Sequence, residues 1–557
     1  MSEDNNEIYT RAKKERQNYV DAVLNSKSKK IIVVAGPGTG KTFLFKEVLK
    51  GKKNTLTLTF VNALVEDLSL ELCGLSEVKT LHGYARSALG LATSDSVKVY
   101  PKLSEVIKED AKILLDKDIN FDHIFNNRDD GNENIKFYKK RKDYYDKYYG
   151  YSDIIFAIVK YFEDKKDKIP TYEQVVVDEF QDFNKLEVSL IDLLAEKSPT
   201  ILAGDDDQAL YAFKSATTEY IRERFSPSNS QYTSFTLPYC SRCTSVIIGA
   251  INDIITAATS NGNLKDRVSK EYKYFDDEKK DKECDRHSKI IYSQKYAAQI
   301  PWFIEKSLSE IAEIERGPFS VLIISPTKVQ IRTVATALKN KGFENVQFID
   351  RNDDKEPALM DGLKILLDES MSNLGWRIVC KSLMNSQDFK TLIETTNNDD
   401  SVSICKLITQ TLKTEVDTAL KVLKAIKNSK KVSNEDSDKL FKMIGRDPYV
   451  LIKDQLKDEL IFGSQKNGNP GLRKIPIKAT TIQSSKGLSA DYVFITHFDD
   501  QYFIQNKDKV TISDQDICNL LVALTRAKKK VFLVSSNTKK QPKFLDWINK
   551  DKIEKIK

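Results

Sequence analysis

One stretch, "IIVVAGPGTGKT" from Ile31 to Thr42, limits what this chain can fold into more than any other. Ile31 to Val34 are all β-branched, a short apolar run suited to a buried parallel strand. Glycines end the strand, and "FLFKEVLK" continues in a helical pattern. Strand, glycine loop and helix in that order turn backbone N–H groups and a helix N-terminus toward an anion. In this reading Gly36, Pro37, Gly38, Thr39 and Gly40 cradle phosphates, Lys41 reaches the outer phosphates and the Thr42 hydroxyl ligates magnesium. Ala35 stands where a first glycine is usual. The loop alone fits a nucleotide kinase, a regulatory switch or a motor.

Two further apolar runs narrow the choice. "QVVVDEFQDFN" places three valines before Asp178 and Glu179. A strand ending in paired carboxylates beside a phosphate loop lets Asp178 hold the magnesium while Glu179 orients and deprotonates a water. Hydrolysis by water is thereby favoured over transfer to an acceptor. "ILAGDDDQALYAFKSA" runs into three aspartates and Gln208, an amide able to bond both γ-phosphate and water. Tyr211 and Phe213 follow, where rings could stack nucleic-acid bases at about 1–3 kcal/mol each.

At 557 residues the chain exceeds what one core supports, so two or more domains are expected. No apolar run approaches the length of a membrane span, and the polar start reads as cytosolic. Seven scattered cysteines do not form a disulfide scaffold, although Cys240, Cys243, Cys284 and His287 have zinc-ligand types. Net charge is +7, and from Arg526 onward eleven basic residues face three acids, an excess that could neutralise phosphates.

The order of these motifs resembles the UvrD/Rep-like helicases of superfamily 1, in which Ala35 is normal. "LTFVNALVEDL" and "TLHGYA" look like that family's segments contacting single-stranded DNA, which implies such contacts for Phe60, Asn62, Thr80 and His82. "TLPYCSRCTSVI" is similar to the segment supplying an arginine to the γ-phosphate, here Arg242. "TIQSSKGLSADYVFI" resembles the segment coupling nucleotide to DNA, centred on Ser485, Lys486 and Gly487. "LLVALTRAKKKVFL" implies a second arginine finger, Arg526. Departures are also visible. Ser241 replaces the aromatic that stacks on adenine, with Tyr239 two residues away; Gln483 and Ser489 replace His and Glu. The adenine-reading glutamine falls at Tyr19, so Gln17 is the nearest candidate, and Gln483 is placed among the nucleic-acid contacts.

The resemblance implies an α/β fold of two RecA-like parallel-sheet domains, each interrupted by a mainly helical insertion. The expected divisions are 1–86 and 163–236 for the first domain, 237–380 and 470–557 for the second, with insertions at 87–162 and, shortened relative to the family, 381–469. The stretch "KFYKKRKDYYDKYYGYSD" in the first insertion suits either a single-strand channel or an amphipathic helix covering the domain below. "SKKVSNEDSDK" in the second reads as a solvated loop, and no nuclease constellation is present. The expected function is an ATP- and Mg2+-dependent DNA translocase or helicase working 3′ to 5′ on single strands or single/double-strand junctions. DNA repair, recombination or anti-phage defence, with or without a partner nuclease, would use it, and no membrane is involved. A nucleic-acid-gated ATPase switch and an RNA-directed helicase are the alternatives.

Overall fold

The computed structural model describes residues 3–60, 62–93, 96–211, 214–315, 317–350, 357–428, 432–444 and 472–557. They form two compact units, one drawn from Met1–Tyr84, Val159–Asn352 and Gly468–Lys557, the other from Ala85–Ile158 and Asp353–Asn467.

The first unit carries two parallel sheets. One contains β1 (Lys30–Ala35), β2 (Thr55–Thr59), β3 (Glu77–Thr80), β4 (Gln174–Val177), β5 (Thr200–Gly204) and β6 (Thr233–Leu237), ordered β3-β2-β4-β5-β1-β6. A two-stranded pair follows, β7 (Tyr239–Cys240) and β8 (Lys273–Tyr274). The other sheet contains β9 (Ile290–Gln294), β10 (Val321–Ser325), β11 (Val346–Ile349), β12 (Ile477–Thr481), β13 (Ala490–Thr496), β14 (Ala527–Ser535) and β15 (Ile553–Ile556), ordered β11-β12-β10-β13-β14-β9-β15. This is the α/β class with two RecA-like sheets.

Both sheets are covered on two faces, which is why their strands read as continuous apolar runs. In β10, Val321 and Ile323 face one core with the helices Ile300–Ile314 and Lys328–Asn340. Leu322 and Ile324 face the opposite core with the helices Ser245–Ser260 and Asp514–Leu524. In the first sheet, Ile31, Val33 and Ala35 pack with Val20 and Val23 of α1 (Glu3–Leu24) and with Leu44 and Phe45 of α2 (Lys41–Leu49).

The second unit is helical among its described residues, apart from a β-bridge between Val99 and Tyr149. Its centre is ionic. Asp110 accepts from Arg141 Nε at 2.9 Å through one oxygen and from Arg377 Nη2 at 2.8 Å through the other, and all three side chains are buried. Tyr138, Tyr144 and Tyr145 are buried beside them. These rings of the basic and aromatic stretch therefore serve the core of this unit. "SKKVSNEDSDK" is not a loop throughout: a helix runs Asn434–Ile444, with the Ser433 hydroxyl accepting from Asp436 N–H at its start. Ser followed by acids in the first turn is a helix-start signal that outweighs the polar composition.

Candidate active site

The phosphate loop leaves β1, which lies between β5 and β6 in the interior of its sheet. Gly38 at φ +68° and Gly40 at φ +97° occupy the left-handed region that favours glycine, and Gly40 caps α2. The Thr39 hydroxyl donates to the Gly36 carbonyl at 2.8 Å, and Lys41 Nζ donates to the Ala35 carbonyl at 3.3 Å. Other segments press against the glycines. A Cβ on Gly36 would lie 2.2 Å from the Tyr272 ring, and one on Gly38 would lie 2.4 Å from Arg242 Cβ. Ser241 N–H and hydroxyl both donate to the Gly38 carbonyl, at 2.9 and 3.0 Å. The segment carrying Arg242 is thus bonded to the loop itself.

Asp178 and Glu179 follow β4 directly. Glu179 is held at φ +54°, a strained conformation for a residue with a side chain. Burial raises the Asp178 pKa and the charge on Glu179 raises it further. Burial also works against Glu179, but Lys486 and Lys41 outweigh it and hold that carboxyl well below its usual range. Asp178 Oδ1 is buried with no hydrogen-bond partner among the described residues. An orphaned carboxylate oxygen, with the half-buried Thr42 hydroxyl opening α2, is the hard-oxygen donor set that suits magnesium.

Gln208 lies just beyond β5. Its Nε2 donates to Asp205 Oδ2 at 2.6 Å, and its Oε1 accepts from Arg526 Nη2 at 3.1 Å. Gln181 joins the two loops: it donates to Glu179 Oε2 at 2.7 Å and accepts from Asp205 N–H at 2.9 Å. Lys486 Nζ lies 3.3 Å from Glu179 Oε2, pairs closely with Asp182 and donates to the Gln208 carbonyl at 3.2 Å. Burial opposes the Lys486 charge, but Asp182 and Glu179 outweigh burial and raise its pKa. Arg526, also buried, donates through Nε to the Val522 carbonyl and through Nη1 to the Leu488 carbonyl. Residues from segments flanking both sheets therefore meet in one hydrogen-bonded group.

Four further partners had no short-range signal in the sequence. Lys270 Nζ lies within 3.1 Å of Asp205, Asp206 and Asp207 alike, and Arg267 Nε contacts both oxygens of Asp207 at 2.9 Å. The Tyr272 hydroxyl donates toward Asp205 and Asp207 at 2.8 Å. Arg222 adds a contact to Asp206 at 3.2 Å. Some 60 positions separate Arg267 from Asp207, so spacing could not reveal the pairing.

The residues expected at nucleic acid are placed as follows. The Phe60 and Tyr211 rings are in tilted contact, with centroids 4.7 Å apart, and Lys214 Nζ lies 5.4 Å from the Phe60 ring centroid. Tyr211 is buried against Leu210 and Val522. Thr80 Oγ1 accepts from Gly83 N–H at the start of α4, where helix α3 (Asn62–Glu71) precedes and α4 spans Leu81–Thr93. Burial, aided by Lys214, pushes His82 down to about 4, leaving it neutral. Gln483 is half-buried in a 3-10 turn before Lys486, and Gly487 has φ +78°. The Asn62 side chain and Phe213 lie outside the described residues.

Gln17 is exposed and donates to Asp21 one turn on, at 2.8 Å; Arg16 faces the loop in its stead. Cys240, Cys243, Cys284 and His287 do not come together as a metal group. Cys240 and Cys243 are buried free thiols, and His287 clusters with Glu283 and Glu315. The basic C-terminal excess is partly matched locally, Lys529 pairing with Glu315, Lys540 with Asp500 and Lys552 with Asp253.

Residues 20–214 match the family described as AAA domain. The chain is 29% identical over 153 residues to DNA helicase II of Haemophilus influenzae, covering 26% of this chain and 20% of that protein. It is 29% identical over 110 residues to ATP-dependent DNA helicase PcrA of Staphylococcus aureus, 19% of this chain and 15% of the relative. DNA helicase II of Escherichia coli is 35% identical over 94 residues, 17% and 13%. The matches thus span about a fifth or less of these relatives, and the resemblance to the UvrD/Rep-like superfamily 1 helicases holds at that level. No helix among the described residues is long and apolar enough to cross a membrane.

Proposed function

We propose that this chain is an ATP-driven single-stranded DNA translocase or helicase that moves 3′ to 5′. The observation that carries the reading is the group formed by Glu179, Gln208, Lys486 and Arg526, in which segments of both sheets share hydrogen bonds beside the phosphate loop. In this reading Lys41 and the loop amides hold the phosphates. Thr42 and Asp178 would hold magnesium, which would supply charge neutralisation at the phosphates. Glu179, ionised because Lys486 and Lys41 outweigh burial, orients and deprotonates the attacking water. Gln208 reads the γ-phosphate, and Arg242 and Arg526 stabilise the charge that develops on it.

Phe60, Asn62, Thr80, His82, Tyr211, Phe213 and Gln483 grip the strand. Changes at Gln208 reach them by a short route, since Lys486 bonds the Gln208 carbonyl and lies 5.9 Å from the Tyr211 ring. Residues 87–162 and 381–469 are the insertions in this reading. The relatives' printed names, DNA helicase II and ATP-dependent DNA helicase, support DNA as the substrate.

The test is phosphate release by the full chain with single-stranded DNA, duplex or RNA, beside Glu179→Gln. Strong stimulation by single-stranded DNA, lost in the variant, is expected; stimulation by none of the three overturns the motor reading. RNA acting as well as DNA would transfer the reading to an RNA enzyme. Hydrolysis without displacement of streptavidin from a biotinylated strand would identify a switch.

A further inference from the structure

Helix α1 buries Val20 and Val23 against the first sheet and, on the same stripe at helical spacing, Ala12 against Tyr239 and Phe275. Arg16 occupies the same stripe, four residues after Ala12 and four before Val20. A guanidinium on an inward face requires an anion, because a desolvated charge without a partner is costly. None of the described carboxylates supplies it to the half-buried Arg16, whose one charged neighbour is the Cys240 thiol. Both oxygens of neighbouring Glu15 are engaged, one by Arg11 Nε at 3.0 Å and the other by the Tyr239 hydroxyl, and Asp21 accepts from Gln17. What Arg16 does have is the face of Phe275, 5.0 Å from ring centroid to guanidinium carbon. A cation–π contact offsets part of the desolvation and fixes the side chain's direction.

That direction is toward the phosphate loop. A Cβ on Gly40 would lie 2.7 Å from Arg16 Nη2, so the guanidinium stands at the Gly40 end of the loop, where α2 begins. Lys41 extends from the next residue, and Arg242 is seated on Gly38. Burial pushes the Arg16 pKa down, the expected sign for a cation that has lost water.

We infer that Arg16 is a nucleotide-binding residue whose guanidinium contacts the polyphosphate of a nucleoside di- or triphosphate at the Gly40 end of the loop. The inference rests on the loop being a nucleotide site. It gives a cationic role to the turn of α1 in which the sequence suggested a base-reading amide. The planar fork of the guanidinium suits two phosphate oxygens. The inward orientation also fits a phosphate contact, because that face leads to the loop.

The test is equilibrium binding of ATP, GTP, ADP and inorganic tripolyphosphate to the full chain and to Arg16→Gln and Arg16→Lys, with melting temperatures measured without nucleotide. Arg16→Gln is expected to weaken all four ligands by about tenfold or more, the size of one lost charge-assisted bond. Arg16→Lys is expected to recover part of that loss, and neither variant should melt below wild type without nucleotide. Unchanged affinities overturn the inference, as does a loss confined to ATP, which would make Arg16 a reader of the base. A lowered melting temperature with unchanged affinity would make it a tether of α1. Wild-type protein that binds none of the four ligands would overturn the nucleotide site as well, a result distinct from intact wild-type binding with an indifferent variant.

Discussion

Arg526 donates to Gln208 Oε1 at 3.1 Å across 318 positions of sequence. The bond is directional because Asp205 already holds the Gln208 amide nitrogen and leaves its oxygen free to accept. In the proposed cycle both side chains turn to the γ-phosphate, which would break this bond. Arg526→Ala is expected to lower turnover by about 10³ or more while changing nucleotide affinity far less. Steady-state hydrolysis and equilibrium binding together check this, and an equal fall in both would count against the assignment.

The Tyr272 hydroxyl bonds Asp205, and its ring fills the space beside Gly36. Tyr272→Phe keeps the ring and removes the donor, leaving buried carboxylates short of a partner. A loss of about 1–3 kcal/mol in stability is expected by denaturant titration. Turnover should fall more than KM rises, because Asp205 positions Gln208. Gly36→Ala should do the opposite and weaken nucleotide binding, since its methyl group would strike the ring.

Asp178 gives the nucleotide-free protein a pH dependence. Burial first, and Glu179 second, push its carboxyl up to about 7. A native pKa above the unfolded value means that the native state binds more protons. The associated stability is therefore complete below the ordinary carboxylate pKa and is lost as pH rises toward 7. Asp178→Asn is expected to melt higher than wild type at about pH 8, with the advantage shrinking toward about pH 4. Melting curves showing no such convergence would refute it.

Asp110 is the shared acceptor of two buried guanidinium groups in the helical unit. Asp110→Leu leaves Arg141 without a carboxylate and Arg377 with Glu109 alone, and is expected to destabilise that unit by about 3–5 kcal/mol. Hydrogen exchange would show early opening in the helices Leu103–Leu115 and Asn373–Leu383, with the β1 amides still protected.

The legibility of the sequence followed the range of the interactions. β1, β4 and β5 were readable because strands covered on both faces leave apolar runs, and the loop because glycine geometry is local. Glu179, Gln208 and Arg526 were readable as motif positions, but their mutual bonds were not, since sheet order brings them together. The stretch holding Tyr145 and Arg141 read equally as a single-strand channel or a packed amphipathic helix, because composition does not distinguish a buried ion pair from a solvated one. Arg16 could have been found: its place in the stripe with Ala12 and Val20 is a helical periodicity, and a lone cation there is conspicuous.

Asp205, Asp206 and Asp207 lie close enough together to hold a divalent ion between them. Here the ammonium of Lys270 reaches all three, so they already hold a counter-ion that cannot diffuse away. Added manganese or calcium should find no competing sink next to Gln208, and a metal titration in the presence of nucleotide should reach its plateau at a stoichiometry of about one.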